Sequence, residues 1–331
     1  MSRTPLRILF AGTPANAAES LRQVSSALEG HEDTAVLVGV LTREDAPVGR
    51  KRVLTPSPVA QTAESLGLPV IKANRLTADV LEQVRSLEAD ASLVVAYGAM
   101  LRRDALGALP LGWYNLHYSL LPDLRGAAPV QWALIREREK TGVTLFRIDE
   151  GLDTGPVLGT WETPVGPAES AGELLERLTA EGSALAVRFL LSLSEDRSLA
   201  DSGEEQDEEP ASEYAPKLTA QDGLLDPGTS AAEAFSRARG TTPAPGPWMR
   251  LNGEKFKIAK VCGVERGAPS GGGAAVPPGS VTAHERGIAI AFSDGALVVE
   301  RVQPAGKKEM SAKDWLRGVQ AGRGENVRLT S

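Results

Sequence analysis

Three features of the chain predict an α/β protein with a doubly wound, mostly parallel sheet, followed by a small β-barrel domain. Over residues 1–194, apolar strand-like runs alternate with helical patterns, the signature of βαβ units in a covered sheet. Beyond residue 213, short strands recur between Gly, Pro, Asn and Asp turns, as in a small barrel. Between the two, residues 195–213 hold nine acidic residues, one arginine and almost nothing apolar, the composition of a solvated linker. The expected organisation is therefore a domain over 1–194, an acidic linker over 195–213 and a barrel over 214–331. The 331 residues are enough for two separate cores.

Residues 7–11 read as a buried strand ending in Gly12-Thr13-Pro14. Ala17, Ala18, Leu21, Val24 and Leu28 then fall near helical spacing, and residues 35–41 form a second strand, apolar on both faces. This is a βαβ unit of Rossmann-like type. It lacks GxGxxG after its first strand, so no dinucleotide fingerprint is present. Residues 42–58 make a polar loop, long for a βα connection, that carries Gly49-Arg50-Lys51-Arg52. Three adjacent cations suit phosphate contacts, and they equally suit plain solvation. A helix over 59–66, a strand over 69–71, a helix over 76–87 and a strand over 92–97 closing on Gly98 come next. Arg125-Gly126-Ala127-Ala128-Pro129 opens a helix over 129–138, since proline fits a first helical position. A strand over 141–148, an acidic turn over 149–155, a strand over 156–164 and a long helix over 170–193 complete the first part. Past the linker the pattern is a helix over 230–239, a Pro-rich turn to Trp248, and strands near 249–251, 255–261, 279–283, 287–292 and 296–302. Gly271-Gly272-Gly273 marks a flexible loop, and no internal repeat is present.

Composition narrows the function classes. The 42% hydrophobic and 24% charged fractions are those of a globular protein. One cysteine, Cys262, allows no internal disulfide, and with three histidines it makes a His/Cys metal site unexpected. No apolar run approaches the roughly 18 residues of a membrane span, and the opening residues read as a strand, so a cytoplasmic protein is expected. The net charge of −7 is uneven: residues 216–331 hold 16 Lys and Arg against 11 Asp and Glu, a balance of +5, which leaves −12 on residues 1–215. A basic second part suits a polyanionic partner, though +5 over that length is also ordinary scatter.

The chemistry-bearing stretch is Asn115-Leu116-His117-Tyr118-Ser119-Leu120-Leu121-Pro122. In extended geometry Asn115, His117 and Ser119 share a face. An imidazole flanked by an amide and a hydroxyl suits acid–base work. Asp149-Glu150-Gly151-Leu152-Asp153-Thr154-Gly155 is a tight acidic turn expected to fold back and set Asp153 beside His117. By itself Asn-x-His is weak, because a lone strand histidine is more often a satisfied structural residue. Gly98 and 115–122 are expected around one crevice, where open α/β sheets bind ligands beyond the carboxyl ends of their strands.

Several segments together resemble the folate-dependent formyltransferases, and among them the methionyl-tRNA formyltransferase family. They are Phe10-Ala11-Gly12-Thr13-Pro14, Gly49-Arg50-Lys51, Pro56-Ser57-Pro58-Val59, Val95-Ala96-Tyr97-Gly98, Asn115-x-His117-x-Ser119-Leu120-Leu121-Pro122 and Arg125-Gly126-Ala127-Ala128-Pro129. Asp149-x-Gly151-Leu152-Asp153-Thr154-Gly155, Tyr214-Ala215-x-Lys217-Leu218 and Gln303-Pro304-Ala305-Gly306-Lys307-Lys308 continue the match in the family's order. The resemblance implies formyl transfer from 10-formyltetrahydrofolate to the methionine amine of initiator methionyl-tRNA. It implies a catalytic triplet of Asn115, protonated His117 and Asp153. Folate would sit against Ser119, Leu120, Leu121, Pro122, Tyr97 and Gly98, largely on backbone groups. Arg50, with Lys51 and Arg52, would meet the tRNA acceptor end, and Lys307 and Lys308 its backbone. No metal, no membrane and a monomer with an OB-like barrel are the remaining expectations. Two positions depart from the family pattern: Tyr118 replaces a small residue, and Arg239-Gly240-Thr241-Thr242-Pro243 stands where Phe-Asn-Pro-x-Pro is expected. The competing readings are a formyltetrahydrofolate deformylase, a formyltransferase acting on a small-molecule amine, and a non-enzymatic RNA-binding module.

Overall fold

The first apolar runs become β1 (Leu6–Gly12), α1 (Ala15–Leu28) and β2 (Ala35–Thr42) in the computed structural model. The structure describes residues 4–49, 51–207, 213–267, 270–271, 274–323 and 327–331. The chain continues through β3 (Ala46–Val48), β4 (Val53–Thr55), α2 (Pro58–Ser65), β5 (Val70–Lys72), α3 (Ala78–Ser86) and β6 (Ala91–Val95). After α4 (Arg103–Leu106) come β7 (Trp113–His117), α5 (Pro129–Ile135), β8 (Lys140–Arg147), β9 (Val157–Pro164) and α6 (Ala171–Glu195).

Seven strands form one sheet in the order β5-β2-β1-β6-β7-β8-β9. The ladders from β5 to β7 are parallel, and β8 runs antiparallel to β7. Both faces are covered, which is why the strands read as continuous apolar runs. Leu9 and Ala11 of β1 pack with Leu81 and Val84 of α3, while Ile8 and Phe10 are buried on the other face. The chain leaves β1 towards β2 on one side and reaches β6 on the other, so a switch point lies between β1 and β6. There Thr13 Oγ1 donates to the Tyr97 carbonyl at 2.9 Å and ties the two strand ends together.

The second unit holds α7 (Ala231–Thr241), β10 (Trp248–Leu251), β11 (Glu254–Arg266), the two-residue ladder β12 (Ser270–Gly271) and β13 (Ala274–Ala275), β14 (Val281–His284), β15 (Gly287–Ala291), β16 (Gly295–Gln303), β17 (Met310–Ser311) and α8 (Ala312–Arg323). Its main sheet is antiparallel, ordered β10-β11-β16-β15-β14 with β17 on β16. Residues 327–330 close it. Thr330 exchanges backbone hydrogen bonds with Arg250 of β10, while Val281 donates to Val327 and Leu329 to Gly279 beside β14. The two edge strands are thus bridged, the barrel-like closure expected from the strand spacing. Inside, Phe256 meets Trp315 with ring centroids 4.5 Å apart.

The structure differs from the sequence reading at several points. The loop over 42–58 contains a hairpin, because Ala46–Val48 pairs with Val53–Thr55. The helix expected over 129–138 ends at Ile135. The helix α8 was not expected at all. The two units also interleave instead of following one another: one is Met1–Gly126, Lys140–Thr163 and Leu175–Tyr214, the other Ala127–Glu139, Pro164–Leu174 and Ala215–Ser331. In the acidic stretch, Arg197–Asp201 form a 3-10 turn and Glu204 exchanges backbone hydrogen bonds with Val157 on edge strand β9. An average over composition hides that pairing, because backbone ladders do not depend on side-chain polarity. Residues 208–212 of that stretch, and Gly272 and Gly273 of the glycine run, lie outside the described residues. The atypical Arg239–Pro243 segment begins as the last turn of α7, and its glycine has a packing reason: a Cβ on Gly240 would collide with the Gln131 carbonyl and Ile135 of α5. Arg239 beside it is buried, with its guanidinium over the Phe235 ring and donating to the Gly166 carbonyl at 2.8 Å.

Candidate active site

The alternation of β7 sorts its side chains. Tyr114 meets Phe189 of α6 edge-on at 4.8 Å, and the Leu116 methyls fill the place a Cβ on Gly182 would take. Asn115 and His117 therefore project from the opposite face. Asn115 is half-buried, and among the described residues its amide has no hydrogen-bond partner. Ser119 does not share that face, because β7 ends at His117. Beyond it the backbone turns around Thr144, whose hydroxyl donates to the Ser119 carbonyl at 2.7 Å and accepts from the Leu121 N–H at 3.1 Å. The Ser119 hydroxyl itself donates to the Asp123 carbonyl at 2.6 Å.

His117 is 5% exposed. Its Nε2 lies 3.0 Å from the Leu124 carbonyl, which only accepts, so Nε2 carries the hydrogen. Its Nδ1 lies 3.8 Å from Asp153 Oδ2, near enough for charge attraction and too far for a hydrogen bond. Burial pushes the imidazole below its ordinary value, and the pulls of Asp153 and the Leu124 carbonyl offset this only in part. Burial thus biases the resting ring towards its neutral form.

Asp153 has folded back as the sequence predicted. It adopts the left-handed conformation, φ 55°, which Asp tolerates better than most residues. Its Oδ2 accepts from the Gly126 N–H at 2.9 Å. Two residues on, Gly155 approaches β8 so closely that any Cβ would fall inside the Arg147 carbonyl. The glycines of this turn are thus what let the carboxylate reach the strand.

The other expected positions divide. Tyr97 is buried, its hydroxyl donates to the Ala73 carbonyl at 2.7 Å, and burial raises its pKa to about 12. The side chain is core, and only backbone at this strand end faces outward. Gly98 takes φ 81°, with its carbonyl accepting from Arg43 Nη1 at 2.8 Å. Leu120, Leu121 and Pro122 are half-buried beside the β7 end. Lys51 and Arg52 are exposed at the tip of the β3–β4 hairpin, whose Val48, Val53 and Leu54 are exposed apolar residues. Arg50 lies outside the described residues. Lys307 and Lys308 are exposed between β16 and β17, away from the strands themselves. Tyr118 is buried on the far side, where its hydroxyl accepts from Asn16 Nδ2 at 3.3 Å and sits 3.4 Å from Thr179 Oγ1. Among the described residues no three His, Cys, Asp or Glu gather as a metal-binding cluster. Gln206 and Arg125, which bear on the acidic turn, were missed as site residues. The one signal was that Gln206 is the only amide side chain in an otherwise acidic run.

The family model described as Formyl transferase matches residues 6–190, and that described as Formyl transferase, C-terminal domain, matches residues 217–320. The chain belongs to the formyl transferase family. Within that family, the methionyl-tRNA formyltransferase of Paenarthrobacter aurescens is 44% identical over 316 residues, 95% of this chain and 97% of that protein. The methionyl-tRNA formyltransferase of Thermobifida fusca is 41% identical over 321 residues, 97% of this chain and 98% of its own. Among solved structures, HypX from Aquifex aeolicus in complex with tetrahydrofolic acid superposes with a TM-score of 0.62 at 15% identity, covering 96% of this chain and 48% of that one. WlaRD, a sugar 3N-formyl transferase, gives 0.59 at 16% identity, with 92% and 99% covered. These structural likenesses speak of the fold alone. They agree with a formyl transferase sheet followed by an antiparallel second unit.

Proposed function

We propose that this formyl transferase moves the formyl group of 10-formyltetrahydrofolate to the α-amine of methionine on initiator methionyl-tRNA. The observation that carries the reading is the Asn115 amide, without a hydrogen-bond partner among the described residues, on the strand whose end sets His117 beside Asp153. The names and full-length coverage of the relatives support the acceptor.

In this reading the neutral amine attacks the formyl carbon and a tetrahedral oxyanion develops. The Asn115 amide donates to that oxygen, a contact typically worth about 3 kcal/mol in the transition state. The C–N bond to the folate nitrogen then breaks. The amine gives up one proton and the folate nitrogen takes one. The His117–Asp153 pair is built to hold that proton in between: an imidazolium there has Nε2–H on the Leu124 carbonyl and Nδ1–H towards the Asp153 carboxylate. The chemistry needs no metal. Folate lies against Ser119–Pro122 and the backbone after β6. The tRNA acceptor end meets Arg50, Lys51 and Arg52, and its backbone meets Lys307 and Lys308. The first part of the chain thus carries the chemistry and the barrel, OB-like in this reading, carries tRNA. The chain works as a monomer in the cytoplasm; among the described residues no helix is long and apolar enough to cross a membrane.

The test is a formylation assay with initiator and elongator methionyl-tRNA side by side. Formylation of the initiator in clear preference is expected. Hydrolysis of the folate donor at an undiminished rate without tRNA would instead favour the deformylase.

A further inference from the structure

The Asp153 turn is held from a direction the triplet does not supply. Gln206 donates through Nε2 to the Asp153 carbonyl at 2.9 Å and to the Gly155 carbonyl at 2.8 Å. Its Oε1 accepts from Arg125 Nε at 3.2 Å and Nη2 at 2.7 Å. Guanidinium can only donate and carbonyls only accept, so the amide orientation is fixed by its partners. Arg125 precedes Gly126, whose N–H binds the Asp153 carboxylate. The result is a closed ring: Arg125 side chain, Gln206 amide, Asp153 backbone, Asp153 carboxylate and Gly126 N–H. The strap carrying Gln206 is itself fastened by Glu204, which pairs with Val157 through backbone bonds of 2.7 and 2.8 Å. The Arg125 guanidinium is buried, so it would lack this acceptor if Gln206 were removed.

We infer that Gln206 is a positioning residue, which holds the left-handed Asp153 turn and so sets the distance between the Asp153 carboxylate and His117. A left-handed non-glycine residue persists only where its surroundings over-determine it, and Gln206 supplies two of the fixed points. A carboxylate at 206 could not replace the amide: it would keep Arg125 but turn oxygens against both carbonyls. This inference rests on the formyl-transfer reading for its activity readout and stands apart from it in its spectroscopic one.

The experiment compares wild type, Gln206→Ala, Gln206→Glu and the control Glu205→Gln, an exposed neighbour, as full-length protein. Steady-state formylation, thermal midpoint and the titration of the labelled His117 ring are measured. Both Gln206 variants should lose at least about tenfold in kcat, with KM for tRNA and for the folate donor within about twofold. The His117 titration should move further down as Asp153 draws away, and Glu205→Gln should match wild type. Unchanged kcat and an unchanged His117 titration in Gln206→Ala overturn the inference. So does a kcat loss that tracks only a fallen thermal midpoint while the His117 titration stays in place. If wild type itself transfers no formyl group to methionyl-tRNA, the functional reading fails, and the His117 titration still decides the role of Gln206.

Discussion

At the scale of single residues, His117 decides the electrostatics. Its chemistry is a contest between desolvation, which favours the neutral ring, and Asp153, which favours the cation. Desolvation wins because the carboxylate stands 3.8 Å away, outside hydrogen-bond reach. With only three histidines in the chain, an NMR titration can follow the His117 ring by itself. It should titrate below the ordinary value of about 6.5. Asp153→Asn should lower it further by removing the main pull towards the cation, and a midpoint at or above the ordinary value would reverse the assignment of a neutral resting ring. Because the folded value is depressed, His117's share of stability is complete above about pH 6.5 and is lost as pH falls towards the folded value. Asp153→Asn and His117→Ala should each cut kcat by about 10²–10⁴-fold, the usual span for a lost acid–base group, with tRNA binding retained. Tyr118→Phe makes the contrast. Its hydroxyl serves a buried polar layer with Asn16 and Thr179, so the variant should lose on the order of 1 kcal/mol of stability and keep full turnover.

Elements show where sequence patterns carried and where they did not. The covered strands were legible because burial on both faces leaves unbroken apolar runs, as in β1 and β6. His117 and Asp153 were legible as a pair because glycines bracket the acidic turn, and Gly155 does allow the close approach. Ser119 was not, since nothing in its own strand signals the Thr144 hydroxyl that turns the chain. Gln206 was hidden in a segment whose composition reads as solvated. By contrast α8 was legible in principle: Ala312, Trp315, Leu316 and Val319 follow helical spacing and pack into the barrel core. The β3–β4 hairpin carries the element-scale prediction. Its exposed Val48, Val53 and Leu54 make it a prong with little reason to be apolar in isolation, and Lys51 and Arg52 crown it. Replacing Lys51 and Arg52 by Ala should raise KM for methionyl-tRNA several-fold and leave KM for the folate donor unchanged. A matching rise in both would place the hairpin at the folate site and remove it from the acceptor.

Across the whole molecule, charge is distributed against its own sum. The net −7 would repel a polyanion, yet residues 216–331 carry +5 and the acidic excess lies before them. Long-range attraction to tRNA must then come from local fields, which act within about a Debye length, roughly 8 Å at physiological salt. Lys307 and Lys308 stand exposed on a turn between two strands of the barrel, where neither is needed for packing. Their contribution should therefore be read in binding alone. Replacing both by Ala should weaken tRNA binding and flatten the dependence of log K on log salt by about 2, one unit for each lost phosphate contact. Turnover at saturating tRNA should hold, because Asn115, His117 and Asp153, the residues proposed for the chemistry, belong to the other unit. An unchanged salt slope would take these two lysines out of the interface and leave the positive balance of the barrel to its strand-borne cations. Of those, Arg250 and Lys255 already lie over the Trp248 ring at 5.3 and 4.7 Å.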